Sequence, residues 1–194
     1  MSDPFAEFRA LLARAEGTDR TLLPEPHAVA LATVGADGGP SARIVLLKGL
    51  DDRGFVFYTN QTSRKGREIA RHARVALVFH WQPLERQVRV EGTAEGVSDA
   101  EADAYFATRS RDSQIGAWAS LQSEPLASDA VLYERVREME RRFEGREVPR
   151  PAHWGGYRVI PSRIEFWHGR PHRLHERRVF EREGNGWAMH RLFP

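Results

Sequence analysis

Three short stretches of the chain concentrate side chains that could bind or act on an anion. Ser63-Arg64-Lys65 opens a predicted helix, with Thr62 or Ser63 placed to cap it. Two cations there oppose the partial positive charge of the free N–H groups at a helix start. The same arrangement suits a bound anion, on which side-chain and backbone donors converge. The plainer alternative is a solvated basic turn. Arg109-Ser110-Arg111-Asp112-Ser113-Gln114 lies between two predicted helices and offers two guanidinium forks and two hydroxyls. That donor set matches a phosphate monoester; it also reads as a linker in which Asp112 or Ser113 caps the next helix. His172-Arg173-Leu174-His175-Glu176-Arg177 reads as a strand, whose period of two places Arg173, His175 and Arg177 on one face. Like charges side by side on a strand face repel, and a planar anionic ligand would relieve them. Metal ligation by His168, His172 and His175 fits poorly, because strand ligands should lie an even number of residues apart, and His172 and His175 do not.

Composition narrows the chemistry. Cysteine is absent, which removes thiolate metal sites, iron–sulfur clusters, disulfides and cysteine nucleophiles. No phosphate-binding loop, no dinucleotide-binding glycine motif and no nucleophile elbow occurs, so any phosphate must be held by side chains. Among the 29 basic residues, Lys48 and Lys65 are the only lysines. A compact ammonium differs from a planar guanidinium, so a site that needs a point charge would single these two out. The net charge of +2 and the lack of a nucleic-acid-binding motif argue against a nucleic-acid partner. No apolar run is long enough to span a bilayer, and no signal-peptide core is visible, so the expected location is the cytoplasm.

The elements that must position these residues follow from periodicity. Apolar residues at Phe5, Phe8, Leu11 and Leu12 predict a helix over 5–15, ended by Leu23-Pro24-Glu25-Pro26. Strands are predicted over 28–34, 42–48, 55–59, 75–81 and 87–92, with a helix from Ser63 to about His72. The unbroken Ile44-Val45-Leu46-Leu47 predicts burial on both faces. Helices follow from Ser98 to about Thr108, over 113–119 and over 128–143, then strands over 157–160, 163–167, 173–182 and 187–192. Strands in blocks with helices inserted between them predict an α+β barrel. With 194 residues and no internal repeat, low-complexity tract or Gly/Ser linker, we expect an N-terminal helix and linker over 1–27 and a single domain over 28–194.

Read in order, these stretches resemble the pyridoxine/pyridoxamine 5′-phosphate oxidases. The resemblance rests on Arg43-Ile-Val-Leu-Leu-Lys48, Phe57-Tyr58-Thr59-Asn60, Ser63-Arg64-Lys65, Leu84-Glu85-Arg86-Gln87-Val88, Arg111-Asp112-Ser113-Gln114-Ile115-Gly116-Ala117-Trp118, Trp154-Gly155-Gly156, Ile164-Glu165-Phe166-Trp167 and Arg173-Leu174-His175. It spans residue 28 to the C-terminus. It implies a split β-barrel homodimer with peripheral helices, FMN at the subunit interface, and oxidation of pyridoxine or pyridoxamine 5′-phosphate to pyridoxal 5′-phosphate by O2, releasing hydrogen peroxide. Carried over by position, Arg43, Ile44, Val45, Leu46, Leu47, Lys48, Tyr58, Thr59, Arg64, Lys65, Gln87, Gln122, Ser123, Trp167 and Arg177 would contact FMN. Lys48, Tyr105, Arg109, Ser113, Arg173, Leu174 and His175 would contact substrate, with Arg173 and His175 at the reacting face. A hydride equivalent would pass from the substrate's C4′ carbon to the flavin.

Two departures stand out. Where family members commonly carry an Arg-Arg-x-Tyr lid segment, the nearest residues here are Phe5-Ala-Glu-Phe-Arg9, and Ser110 replaces the usual proline between the two arginines. Competing readings are a flavin oxidase of another pathway, such as the phenazine type, or a non-catalytic flavin- or pyridoxal-phosphate-binding protein.

Overall fold

The computed structural model describes residues 3–194. In chain order the elements are α1 (Pro4–Glu16), β1 (Ala28–Val34), β2 (Pro40–Leu46), β3 (Gly49–Leu50), β4 (Phe55–Asn60), α2 (Arg64–Arg71), β5 (Arg74–Trp81), β6 (Arg86–Gly96), α3 (Asp99–Ala107), α4 (Arg111–Ala119), α5 (Asp129–Arg142), β7 (Trp154–His168), β8 (Glu176–Glu183) and β9 (Gly186–Leu192). The strands form one antiparallel sheet in the order β2-β1-β5-β6-β7-β4-β3, with β8 also on β7 and β9 on β8. The branch lies in β7. Its first half pairs with β4 and its second half with β8, while β6 runs along both. This splits the sheet into a half-barrel with two lips.

A bulge makes the branch possible. The register between β6 and β7 shifts at Glu91/Gly92, so that Glu91 faces Arg163 and Gly92 faces Pro161. Ser162 is the extra residue, and its hydroxyl donates to the Glu91 carbonyl. A proline sits where no ladder donor is required, and the bulge bends the strand. The strands expected over 157–160 and 163–167 are therefore one continuous strand.

The main core fills the concave side. Phe5 and Phe8 of α1 are buried against Phe55 and, for Phe8, against Phe79 and Trp81, with the Phe8 ring 4.9 Å from both Phe55 and Phe79. Each such ring contributes roughly 1.5–3 kcal/mol by burial. A second cluster, Phe106, Ile115, Ala119, Met139 and Phe143 with Trp154, holds α3, α4 and α5 against the start of β7.

Three sequence expectations are corrected. The strand expected from Arg173 begins at Glu176; residues 171–173 form a single 3-10 turn in which His172 and Arg173 have φ of 59° and 62°. Pro171 fixes the entry to that turn, and positive φ is incompatible with a strand. Arg173, His175 and Arg177 consequently do not share one strand face. The helix expected over 113–119 starts at Arg111, because Ser110 rather than Asp112 or Ser113 is its cap. The two-faced burial expected for Ile44–Leu47 is not met within one chain. β2 is an edge strand, leaving Ile44 64% and Leu46 36% exposed.

Candidate active site

Lys65 is the centre of the first cluster. A tight turn precedes it: Asn60 accepts from the backbone and hydroxyl of Thr62, and Ser63 caps α2 by accepting from the Gly66 N–H. Gly66 permits the approach of the turn to the helix, since a Cβ there would lie 2.1 Å from the Gln61 carbonyl oxygen. This geometry points Lys65 inward, where only 8% of it is exposed. Its ammonium donates to Thr59 Oγ1 at 3.1 Å, Ser63 Oγ at 3.2 Å and Gln122 Oε1 at 3.1 Å, all neutral oxygens. Burial and the nearby Arg43 hold its pKa below the ordinary lysine value, while Glu68 pulls the other way. A buried ammonium whose bonded partners are all neutral is a receptor for an anion.

Behind it, Glu68 binds the surrounding cations in place. Its carboxylate accepts from Thr33 at 2.6 Å, Ser41 at 2.7 Å, Arg64 at 2.9 Å and Arg43 at 3.0 Å. Burial alone would raise its pKa, but these hydroxyls and guanidinia bring it down to about 2. Arg43 also donates to the Leu31 carbonyl, so its fork is fixed. Glu68 was missed in the sequence; its one signal was its position four residues after Arg64 on a helix.

The second cluster adjoins the first. Tyr58, Tyr105 and Trp154 form a stack, with Tyr58 4.0 Å from Tyr105 at 11° and 5.4 Å from Trp154 at 4°. Arg109 lies 4.9 Å from the Trp154 ring centroid and 5.5 Å from that of Phe106. One of its terminal nitrogens is buried without a hydrogen-bond partner. Burial lowers the Arg109 pKa and raises that of Tyr105. Ser113 stands at the start of α4, its hydroxyl 2.8 Å from that of Ser110. Arg109, Ser113, Tyr58, Thr59 and Gln122 line one cavity of about 340 Å3, so the two clusters share a wall. Arg111, the other fork of this stretch, turns away to the Phe143 and Arg146 carbonyls and braces α5. Trp118 is a brace too, donating to the Pro149 carbonyl beneath Arg142.

The third cluster lies on another part of the sheet. Gln87, Trp167 and Arg177 are direct cross-strand neighbours on β6, β7 and β8. Arg177 donates to Glu165 at 2.7 Å, and Arg163 at 3.1 Å and Arg89 at 3.5 Å share that carboxylate. Glu165 is 1% exposed; burial opposes its charge, but the three guanidinia keep its pKa low. His175 lies 4.6 Å from the Trp167 ring, and its Nδ1 accepts from the Arg170 N–H. Arg173 and Leu174 project from the strained turn, exposed to solvent.

The remaining candidates sit apart. Lys48 lines a separate hollow with His27, Leu47 and Leu50 rather than the Arg109 cavity. Ile44, Val45 and Leu46 lie along β2, with Leu47 just beyond it and buried. Ser123, beside Gln122, adopts φ of 74° in an exposed turn.

The fold is a split half-barrel whose sheet and flanking helices carry three clusters of buried or braced cations. Residues 16–143 match the pyridoxamine 5′-phosphate oxidase family, and residues 154–194 match the pyridoxine 5′-phosphate oxidase C-terminal dimerisation region. The pyridoxine/pyridoxamine 5′-phosphate oxidase of Rubrobacter xylanophilus is 64% identical over 175 residues, 90% of this chain and 81% of that protein. The protein of the same name from Myxococcus xanthus is 57% identical over 192 residues, 99% of this chain and 92% of its own. Among solved structures, PhzG from Burkholderia lata, in complex with tetrahydrophenazine-1-carboxylic acid, aligns with a TM-score of 0.92 at 34% identity, covering 100% of this chain and 94% of that one. The chain belongs to the pyridoxamine 5′-phosphate oxidase family.

Proposed function

We propose that two copies of this chain, with FMN at their interface, oxidise pyridoxine 5′-phosphate or pyridoxamine 5′-phosphate to pyridoxal 5′-phosphate, with O2 taking the electrons and leaving as hydrogen peroxide and, for the amine substrate, water supplying the carbonyl oxygen as ammonia leaves. The observation that carries this reading is the buried, unpartnered nitrogen of Arg109 beside Ser113 and a tyrosine–tryptophan stack. That wall seeks a phosphoester attached to a flat ring.

The chain fits the cofactor. Lys65, caged by Thr59, Ser63 and Gln122, would hold the FMN phosphate, with Arg43 and Arg64 fixed alongside by Glu68. Gln87, Trp167 and Arg177 would meet the ring system, Arg177 being fixed by Glu165. The third cluster and the first two lie on different parts of one chain, so a ligand held between two copies would be the element that joins them. FMN, when bound, supplies the two-electron acceptor. Arg109, Ser113 and Tyr105 clamp the substrate phosphate and set the ring's position, an orientation effect worth several kcal/mol of barrier. Arg173 reaches from its exposed turn to cover the reacting face. His175, whose Nδ1 accepts from a backbone N–H, presents Nε2–H to the substrate as a donor.

The solved structure bearing a tetrahydrophenazine carboxylate supports a second reading, an oxidase of unphosphorylated tricyclic substrates. Peroxide release by the flavin-loaded protein separates the two. Turnover is expected with pyridoxine 5′-phosphate and not with pyridoxine or the tricyclic acid. Turnover of the tricyclic acid alone would overturn the assignment.

A further inference from the structure

A cavity of about 320 Å3 lies beneath α1; Phe166 and Trp167 form part of its wall, so it borders the third cluster but includes neither Gln87 nor Glu165. Its walls come from α1, from the starts of β6 and β8 and from the end of β7. Alternation along these strands puts Arg86, His168, Glu176 and Arg178 on this face, with Arg86 opposite His168 and His168 opposite Glu176.

The charges in this cavity do not balance. Four guanidinia line it, those of Arg14, Arg86, Arg170 and Arg178, against two carboxylates, Glu7 and Glu176. Both carboxylates are already engaged. Glu7 takes a two-pronged pair from Arg178, and Glu176 is shared between Arg170 at 3.3 Å, Arg178 at 3.4 Å and His168 at 3.7 Å. Arg86 is half-buried and has no carboxylate partner among the described residues; its only bond is a 3.4 Å contact to the neighbouring Glu85 carbonyl. Burial and the fields of Arg14, Arg170 and Arg178 all press its pKa downward, with Glu176 opposing. A guanidinium in that position is stabilised by an anion arriving in the cavity.

We propose that this cavity is a second oxyanion site, distinct from the two phosphoester clusters above, and that it takes a compact dianion of the phosphate class on Arg86 and Arg14. The volume admits inorganic phosphate or a small phosphomonoester with its water. Arg86 and Arg14 make no ion pair among the described residues and supply the free donors, while Arg178 and Arg170 are already paired with Glu7 and Glu176. The proposal does not depend on the reaction assigned to the Arg109 wall, although Trp167 borders both this cavity and the third cluster.

The test uses flavin-loaded protein, so that the Lys65 cluster is filled, and carries Arg109→Gln to silence the other phosphoester wall. Titration calorimetry with inorganic phosphate is run at constant ionic strength, with chloride and sulfate as comparisons. One saturable event per chain is expected for phosphate, sulfate intermediate and chloride without effect. Adding Arg86→Gln should weaken the phosphate event at least tenfold while the flavin stays bound and the unfolding temperature stays within a few degrees. A phosphate event of unchanged affinity in the Arg86→Gln background would overturn the proposal, as would chloride matching phosphate. Should Arg86→Gln fail to fold, Arg14→Gln on the exposed side of α1 gives the same reading with a smaller loss expected.

Discussion

At the scale of single residues, Lys65 is a buried lysine with no acid among its hydrogen-bond partners. Lys65 loses hydration in the fold and gains only neutral oxygens in return. We therefore expect Lys65→Met to leave the flavin-free protein as stable as the parent or more so, while FMN binding weakens by roughly 10- to 100-fold, the worth of one charge-assisted hydrogen bond. Thermal unfolding and flavin titration together check this. A variant that loses stability but keeps FMN affinity would make Lys65 a structural residue. Glu68 behaves in the opposite way. Its pKa falls from 4.5 to about 2 in the folded chain, so its contribution is complete above 4.5 and fades as the pH drops toward 2. Glu68→Gln should cost about 2 kcal/mol near neutrality. Denaturant unfolding from about pH 6 downward should show the gap between parent and variant closing through that same window. A gap that stays constant would mean that the carboxylate's charge is not what holds Arg43 and Arg64.

At the scale of elements, the close approach of α2 to the turn before it is what aims Lys65. A methyl at position 66 would collide with the Gln61 backbone, which cannot yield as a flexible side chain can. Gly66→Ala should therefore shift the start of α2 and lower FMN affinity more than it lowers the helix content seen by circular dichroism. Equal affinity would show that the turn absorbs the change. This is also where sequence reading reached furthest. The cap and the helix were legible from Thr62-Ser63-Arg64-Lys65, because they are decided locally by side chains competing for free N–H groups, and the lysine singled out there as an anion ligand is buried. The stretch 171–175 was misread for an equally physical reason. A period of two through Arg173, His175 and Arg177 looks like a strand, but Pro171 and two consecutive left-handed residues make a strained turn, and such conformations arise from tertiary context. Pro161 misled in the other direction: it looks like a strand break, yet a bulge accommodates it within β7. Arg111 was read as one of two guanidinium forks for an anion and is a brace, a distinction that depends on where α5 packs.

At the scale of the whole molecule, the cationic clusters are displayed on a sheet whose edge remains unfinished in one chain. Ile44 and Leu46 project from β2 into solvent, and the matched C-terminal region is a dimerisation region. The apolar run that the sequence marked as buried on both faces thus calls for a second copy to cover its outer side. Ile44→Glu should shift the protein toward monomer in sedimentation and strip it of FMN in the same step. A monomer that stays yellow would separate the two. The claim that ties residue, element and molecule together is that pyridoxine 5′-phosphate is held against FMN in a shared phosphoester pocket. The most direct measurement is the visible spectrum of the flavin-loaded dimer with oxygen removed. Adding pyridoxine 5′-phosphate should bleach the yellow band, and admitting air should restore it with one equivalent of hydrogen peroxide per equivalent of pyridoxal 5′-phosphate. A spectrum that stays oxidised under saturating pyridoxine or pyridoxamine 5′-phosphate would contradict the account.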